Sequence, residues 1–279
     1  MKLASNNLIP LLIGSIALFT FSLSSAQSAR LHVTPIAKIK GDFLLMDADI
    51  FGKVYAITRS GKFIKFNLQG DSLHSWNDVK RYGVPDAIDV SNPLKPLLLC
   101  GGFGQLIVLD KIMIPRNVIN LRSKGIMGGY MPAASYDNQI WIFDSLEFKL
   151  KKINDNGDVV FESMDLRMSL PKSFQPYGMT DQQNSVFIFS ADHEVYGFDY
   201  FGYFQYRSSL EKGKIYGMNG SESYQLINNE VVITPLKGPG KTFINLPEEI
   251  KAPLHVCIRK QNLFLLDASG IAIFSIEKN

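Results

Sequence analysis

Across residues 137–163 apolar and polar positions alternate in a way that predicts three short strands in series. Residues 140–143 (IWIF) form the first and a polar turn at 144–147 closes it. Residues 148–153 form the second, Asn154-Asp155-Asn156-Gly157 turns the chain, and 158–162 form the third. Short apolar runs between Asn, Asp and Gly clusters are hairpin signals. Three strands alone cannot bury their own faces, so the unit predicts companions. Apolar runs starting at Tyr55 (YAIT), Leu97 (LLLC), Ile140, Val186 (VFIF), Tyr224 (YQLI) and Leu263 (LFLL) follow one another at steps of 42, 43, 46, 38 and 39 residues. Such a period in a pattern made only of strands points to a propeller. Turn chemistry keeps the same phase: Gly70, Gly157 and Gly202 lie 15, 17 and 16 residues after the start of their runs. The expectation is one all-β domain, a single six-bladed β-propeller of four-stranded blades.

Residues 31–40 (LHVTPIAKIK) precede the first unit and read as a lone strand, while the last unit has three segments, 254–259, 263–267 and 271–276. The N-terminal strand is therefore expected to complete the last blade and close the ring, which removes an exposed sheet edge. Inner strands lining a channel are expected at 43–49, 86–90, 131–135, 177–180, 215–218 and 254–259. Pro85, Pro132, Pro176 and Pro253 mark the start of four of them, where a missing N–H falls outside the ladder. The long connections before the inner strands, such as 77–85 and 121–130, share a face with the turns after the marker runs. Loops on a rigid scaffold carry binding, so that upper face is the expected functional surface.

Residues 1–26 carry Lys2 as their only charge, an apolar stretch at 11–23 and Ser24-Ser25-Ala26 before Gln27. This is the pattern of a secretory signal peptide. A membrane span needs ~20 apolar residues, and Pro10 and Asn6-Asn7 shorten this one. The reading gives a signal at 1–26 and a propeller domain at 27–279, periplasmic or secreted, with no membrane span after cleavage and monomeric on its own. Composition, 46% hydrophobic with 11% aromatic residues, excludes a disordered chain. The formal net charge of +3 comes without a basic cluster, so nucleic acid is not an expected partner.

Candidate chemistry is sparse. Cys100 and Cys257 fall in units that are not neighbours and read as small buried hydrophobes. His32, His74, His193 and His255 show no metal-ligand spacing; His255, near the start of an inner strand, is the one placed at a channel mouth. Asp47, Asp49, Asp86 and Asp89 belong to the first two inner strands, but Ala133, Ala134, Met179 and Met218 stand at comparable positions later. No metal site, cofactor or catalytic residue is predicted, and no G-x-S-x-G occurs. The run 154–158 superficially suggests a calcium loop, but its glycine is misplaced for one, and Asn-Gly is good turn chemistry. Arg81, Tyr82, Arg122, Lys124, Tyr130, Lys172, Gln175 and Tyr177 gather in the upper loops, and Tyr and Arg are favoured at binding hot spots. The candidate binding residues are Arg81, Tyr82, Arg122, Tyr130, Gln175, Tyr177 and His255.

The blade pattern resembles that of exported six-bladed propellers of the NHL/TolB-like kind. The carrying residues are 137–144 (DNQIWIFD) and 148–153 (FKLKKI), joined by 89–94 (DVSNPL). WD40 repeats do not fit, because no Trp-Asp or Gly-His signature occurs. The resemblance implies an uncharacterised bacterial envelope family whose broader class holds binding and scaffold modules with a minority of metal-dependent hydrolases and lyases. Two functions follow as expectations. One is a non-catalytic envelope propeller that binds a protein or peptide. The other is a lactonase-like metal-dependent hydrolase acting on a small molecule or glycan.

Overall fold

The computed structural model describes residues 28–129, 131–250 and 252–277. The expected signal at 1–26 and the candidate Tyr130 lie outside the described residues. The chain opens with β1 (Ala29–Lys40). A first four-stranded antiparallel blade follows, built from β2 (Phe43–Ala48), β3 (Val54–Thr58), β4 (Phe63–Phe66) and β5 (Ser72–Trp76). A one-turn helix, α1 (Val79–Tyr82), leads to the second blade: β6 (Ala87–Asp89), β7 (Leu97–Cys100), β8 (Gln105–Leu109) and β9 (Pro115–Asn120). The third holds β10 (Pro132–Ala134), β11 (Ile140–Asp144), β12 (Lys149–Ile153) and β13 (Val159–Glu162). The fourth holds β14 (Pro176–Gln182), β15 (Ser185–Ser190), β16 (Glu194–Phe198) and β17 (Phe204–Ser209).

The remaining strands are β18 (Ile215–Asn219), β19 (Glu222–Ile227), β20 (Glu230–Pro235), β21 (Thr242–Asn245), β22 (His255–Arg259), β23 (Asn262–Asp267) and β24 (Gly270–Glu277). With β1 they form one eight-stranded sheet in the order β18-β19-β20-β21-β1-β24-β23-β22. This corrects the expectation of six separate four-stranded blades: the sheets are four free-standing blades and one continuous sheet of eight strands. β1 is the cause. Residues 32–40 run antiparallel to β24, and Ala29, Arg30 and Leu31 pair in parallel with Thr242, Phe243 and Ile244 of β21. One strand thus zips two outer edges that the repeat pattern treats as separate. The sheet bends back on itself, so that its edge strands β18 and β22 touch.

Apolar side chains fill the gaps between neighbouring sheets. Trp141 and Phe143 of the third blade meet Tyr196 and Phe198 of the fourth, and Ile57 and Phe63 of the first meet Leu98 and Ile107 of the second. Burial of these faces is the main driving force for assembly. The turns that kept phase in the sequence are the outer hairpins. Asn67, Asn154 and Asp199 each accept at their backbone carbonyl from the N–H of Gly70, Gly157 and Gly202, and those glycines sit at φ of 90°, 80° and 69°. In the second blade Met113 takes this left-handed position at φ 68°, with Asp110 Oδ1 accepting from Ile112 and Ile114 N at 2.9 Å.

Candidate functional site

The inner strands β2, β6, β10, β14, β18 and β22 surround a central cavity of about 350 Å³. The face on which they begin is the upper one. At their lower ends polar side chains join each strand to the next. Arg259 Nη2 donates to Asp47 Oδ1 at 2.8 Å and Arg259 Nε to the Ala48 carbonyl at 2.8 Å. Asp47 Oδ2 accepts from Val90 N at 3.3 Å, and Asp89 Oδ2 from Ala134 N at 2.7 Å. Ser135 Oγ donates to Asp181 at 3.0 Å, Gln182 Nε2 to the Met218 carbonyl at 3.0 Å, and Asn219 Nδ2 to the Lys260 carbonyl at 3.4 Å. The belt is continuous around the channel. Asp47 and Asp89 therefore serve the scaffold, and burial beside Asp47 pushes the Asp89 carboxyl above the usual carboxylate range. Among the described residues no three His, Cys, Asp or Glu side chains converge where a metal ion could sit.

The upper mouth has different chemistry. Tyr177 and Tyr216 occupy irregular positions where β14 and β18 slip register against their neighbours, between Pro176 and Gly178 and between Ile215 and Gly217. A bulge of this kind re-aims a side chain, and both tyrosines line the cavity. Each is followed by a glycine with a ring pressed against its backbone: a Cβ on Gly217 would lie 2.4 Å from the Tyr224 hydroxyl oxygen, and one on Gly178 would lie 3.0 Å from the Phe189 ring. The Tyr177 hydroxyl receives Ile215 N at 2.8 Å and donates to its carbonyl at 3.1 Å. Lys214 Nζ lies 5.2 Å from the Tyr216 ring centre and 5.9 Å from that of Tyr177, a cation–π arrangement. His255 meets Tyr216 edge to face at 5.2 Å.

Burial holds the His255 imidazolium pKa down at about 4, with Lys214 and Arg259 adding to the effect and Asp47 opposing it. An unfolded histidine takes up its proton near pH 6.5, so between these values the unfolded state binds the proton and the folded state does not. Stability is complete above pH 6.5 and falls as the pH drops. Urea titrations should show a loss of about 1–2 kcal/mol between pH 6.5 and 5, and His255→Gln should flatten that slope. An unchanged slope in the variant would contradict the assignment.

The structure brings together only part of the sequence-predicted patch. Arg122 and Tyr177 line a second, more open cavity of about 510 Å³ on the upper face, and Tyr177 and His255 share the channel mouth. Gln175 is exposed, two residues before Tyr177. Tyr82 is instead buried, stacked on Trp76 at 6.3 Å, because α1 packs over the blade. Arg81 covers the Tyr82 ring at 5.0 Å, and neither residue lines either of these two cavities. Lys124 is engaged with Asp158 at 2.6 Å. Cys100 and Cys257 are buried and unbridged, and burial raises both thiols to about 12.

The sequence matches no protein-family model and no curated protein. Solved structures are similar in fold. The Neurospora crassa Pan2 WD40 domain superposes with a TM-score of 0.62 at 11% identity, over 91% of this chain and 97% of that one. Virginiamycin B lyase from Staphylococcus aureus gives 0.57 at 12%, over 85% and 80%. BBS1N in complex with ARL6DN gives 0.51 at 11%, over 88% and 96%. The fold is a β-propeller. Identities this low extend to the propeller scaffold and stop there, since one scaffold carries unrelated functions.

Proposed function

We propose that this chain is an exported, non-catalytic propeller that binds a protein or peptide of the cell envelope through its upper face. The observation that carries the reading is the exposure of large apolar side chains, Phe103, Met127, Leu146 and Met168, on the upper loops that neighbour the 510 Å³ cavity. Met127 and Arg122 line it, Arg122 Nη2 reaches the Gly102 carbonyl at 3.2 Å beside exposed Phe103, and Arg167 Nη2 holds the Leu146 carbonyl at 2.6 Å beside Met168, which is 93% exposed. Exposed apolar side chains gathered near a cavity mark interaction surfaces, and methionine adapts to varied partners. The signal-like pattern of residues 1–26 supports placement outside the cytoplasm. Among the described residues no helix is long and apolar enough to cross a membrane. A propeller neighbour solved with a protein bound, BBS1N in complex with ARL6DN, supports the reading by analogy of scaffold.

Cross-linking in envelope fractions tests the reading. Met127→Glu combined with Met168→Glu should cut partner recovery about tenfold or more, as hot-spot loss does. Phe51→Glu, in the turn where β2 has ended, should leave it unchanged. Undiminished capture by the double variant would overturn the upper-face assignment. Recovery of the chain in the cytoplasmic fraction with Lys2 retained, and none in the envelope or medium, would overturn the export reading.

A further inference from the structure

The channel mouth carries groups that the scaffold does not use. His255 Nδ1 is buried and has no hydrogen-bond partner among the described residues. Lys214, exposed above the two tyrosine rings, forms no ion pair among the described residues within 4 Å, although nearby Arg259 is fully engaged with Asp47. Both groups border the same 350 Å³ cavity, whose wall also carries the apolar side chains of Leu45, Ile88, Met131 and Met179. The acidic groups of the lining are already engaged: Asp86 accepts from Gly101 N at 3.1 Å, Asp89 from Ser91 N at 2.7 Å, and Asp47 from Arg259 Nη2 at 2.8 Å. A cavity with an unpaired ammonium and an unpaired buried imidazole nitrogen at its mouth, and apolar side chains on its wall above the polar belt, orients an anionic head with an apolar tail. A buried polar atom without a partner costs free energy that a ligand oxygen would recover.

We propose that the channel mouth binds the carboxylate of an apolar chain, with Lys214 Nζ and His255 Nδ1–H donating to the carboxylate oxygens and the chain running down between Leu45, Ile88, Met131 and Met179. Two sources share this chemistry, the C-terminus of an apolar peptide and a free amphipathic acid. In the peptide form the proposal rests on the partner reading above; in the free-acid form it stands without it. The tyrosines have a defined part: Tyr177 is pinned through Ile215, and with Tyr216 it holds the Lys214 ammonium at the mouth rather than in bulk solvent.

Calorimetric titration of the purified chain with N-acetyl-Leu-Leu, its C-terminal amide, octanoate and octanamide tests this. At least one acid should bind about tenfold or more tightly than its amide, as a charge-assisted contact requires, and which acid does so identifies the source. Lys214→Met, which keeps the stem and removes the charge, should lose about tenfold or more in affinity for the acid, and Lys214→Arg should recover most of it. His255→Leu, which removes the ring nitrogens, should weaken binding of the acid. Equal binding of acids and amides, binding of none of the four, or full acid binding by a folded Lys214→Met variant would each overturn the proposal. Met127→Glu with Met168→Glu separates the two readings: partner capture falls while octanoate binding stays.

Discussion

Deleting residues 29–40 should abolish the cooperative thermal transition of the whole chain, although β1 buries little apolar surface. Ile39 is the buried hydrophobic side chain of the strand, and most of the others are exposed. The contribution of β1 is made by its backbone. It pairs eight residues with β24 and three with β21, so its loss opens two sheet edges and cuts the eight-stranded sheet in two. At about 1 kcal/mol per backbone hydrogen bond, the loss reaches the scale of a domain's total stability, ~5–15 kcal/mol. The freed edges of β21 and β24 would also template aggregation. Circular dichroism melts of the truncated and intact chains check this, and a truncated chain melting within a few degrees of the intact one would refute it. Arg30→Ala is the control. Its contacts with Glu230 at 2.8 Å and Asn245 at 2.7 Å are exposed, and its removal should cost under ~1 kcal/mol.

That strand also shows where sequence reasoning about the fold reaches its end. Strand positions, the propeller architecture and the turn phase were legible, because Asn or Asp with glycine three residues on is local chemistry. The repeat count predicts six four-stranded blades, whereas the sheets are four such blades and one of eight strands, because pairing across edges is not written in periodicity. Residues 29 and 30 lie just upstream of the predicted strand at 31–40, and 29–31 pair with residues more than two hundred positions away. Met113 hid a fourth copy of the outer turn by occupying the left-handed position usually given to glycine. Lys151 and Lys152 show a different limit. Consecutive strand residues face opposite ways, so one solvent-facing lysine is expected, yet both are buried. Lys151 meets Asp144 at 2.9 Å and Lys152 lies 4.3 Å from the Trp141 ring centre with Asp137 at 2.8 Å.

The candidate site was half legible. His255 is legible from its position near the start of an inner strand, and Arg122 and Tyr177 from the cluster of aromatics and cations in the upper loops. Lys214 and Tyr216 were missed although a signal existed: Tyr-Gly-Met occurs at 177–179 and again at 216–218, at the same phase of two units. The repeated glycine is the trace of a ring crossing the strand, and the repeated tyrosine is the trace of the irregularity that turns it to the channel. Tyr82 was misplaced for a simple reason. An aromatic in a polar loop reads as exposed until a neighbouring Trp76 is known to lie beneath it.

Asp47→Ala should destabilise the chain by about 3 kcal/mol or more, the largest effect expected of a single channel substitution. Arg259 is 17% and Asp47 15% exposed at the side chain, and removing one partner of such a pair leaves a charge with too little solvent to compensate it. Asp47 also accepts from Ala48 N at 2.8 Å and Val90 N at 3.3 Å, so its loss frees backbone donors on two blades at once. Arg259 keeps the Ala48 and Ile258 carbonyls and the Tyr224 hydroxyl, which limits the damage. The double variant Asp47→Ala with Arg259→Met removes the stranded charge and should recover part of the stability, giving a coupling of about 1 kcal/mol or more in a double-mutant cycle. Urea midpoints at pH 7 measure all three variants. If the single variant unfolds within ~1 kcal/mol of the parent, the polar belt is decoration and the apolar faces between sheets hold the ring unaided. If the double variant is no more stable than Asp47→Ala alone, the damage lies in the freed backbone donors rather than in the uncompensated guanidinium.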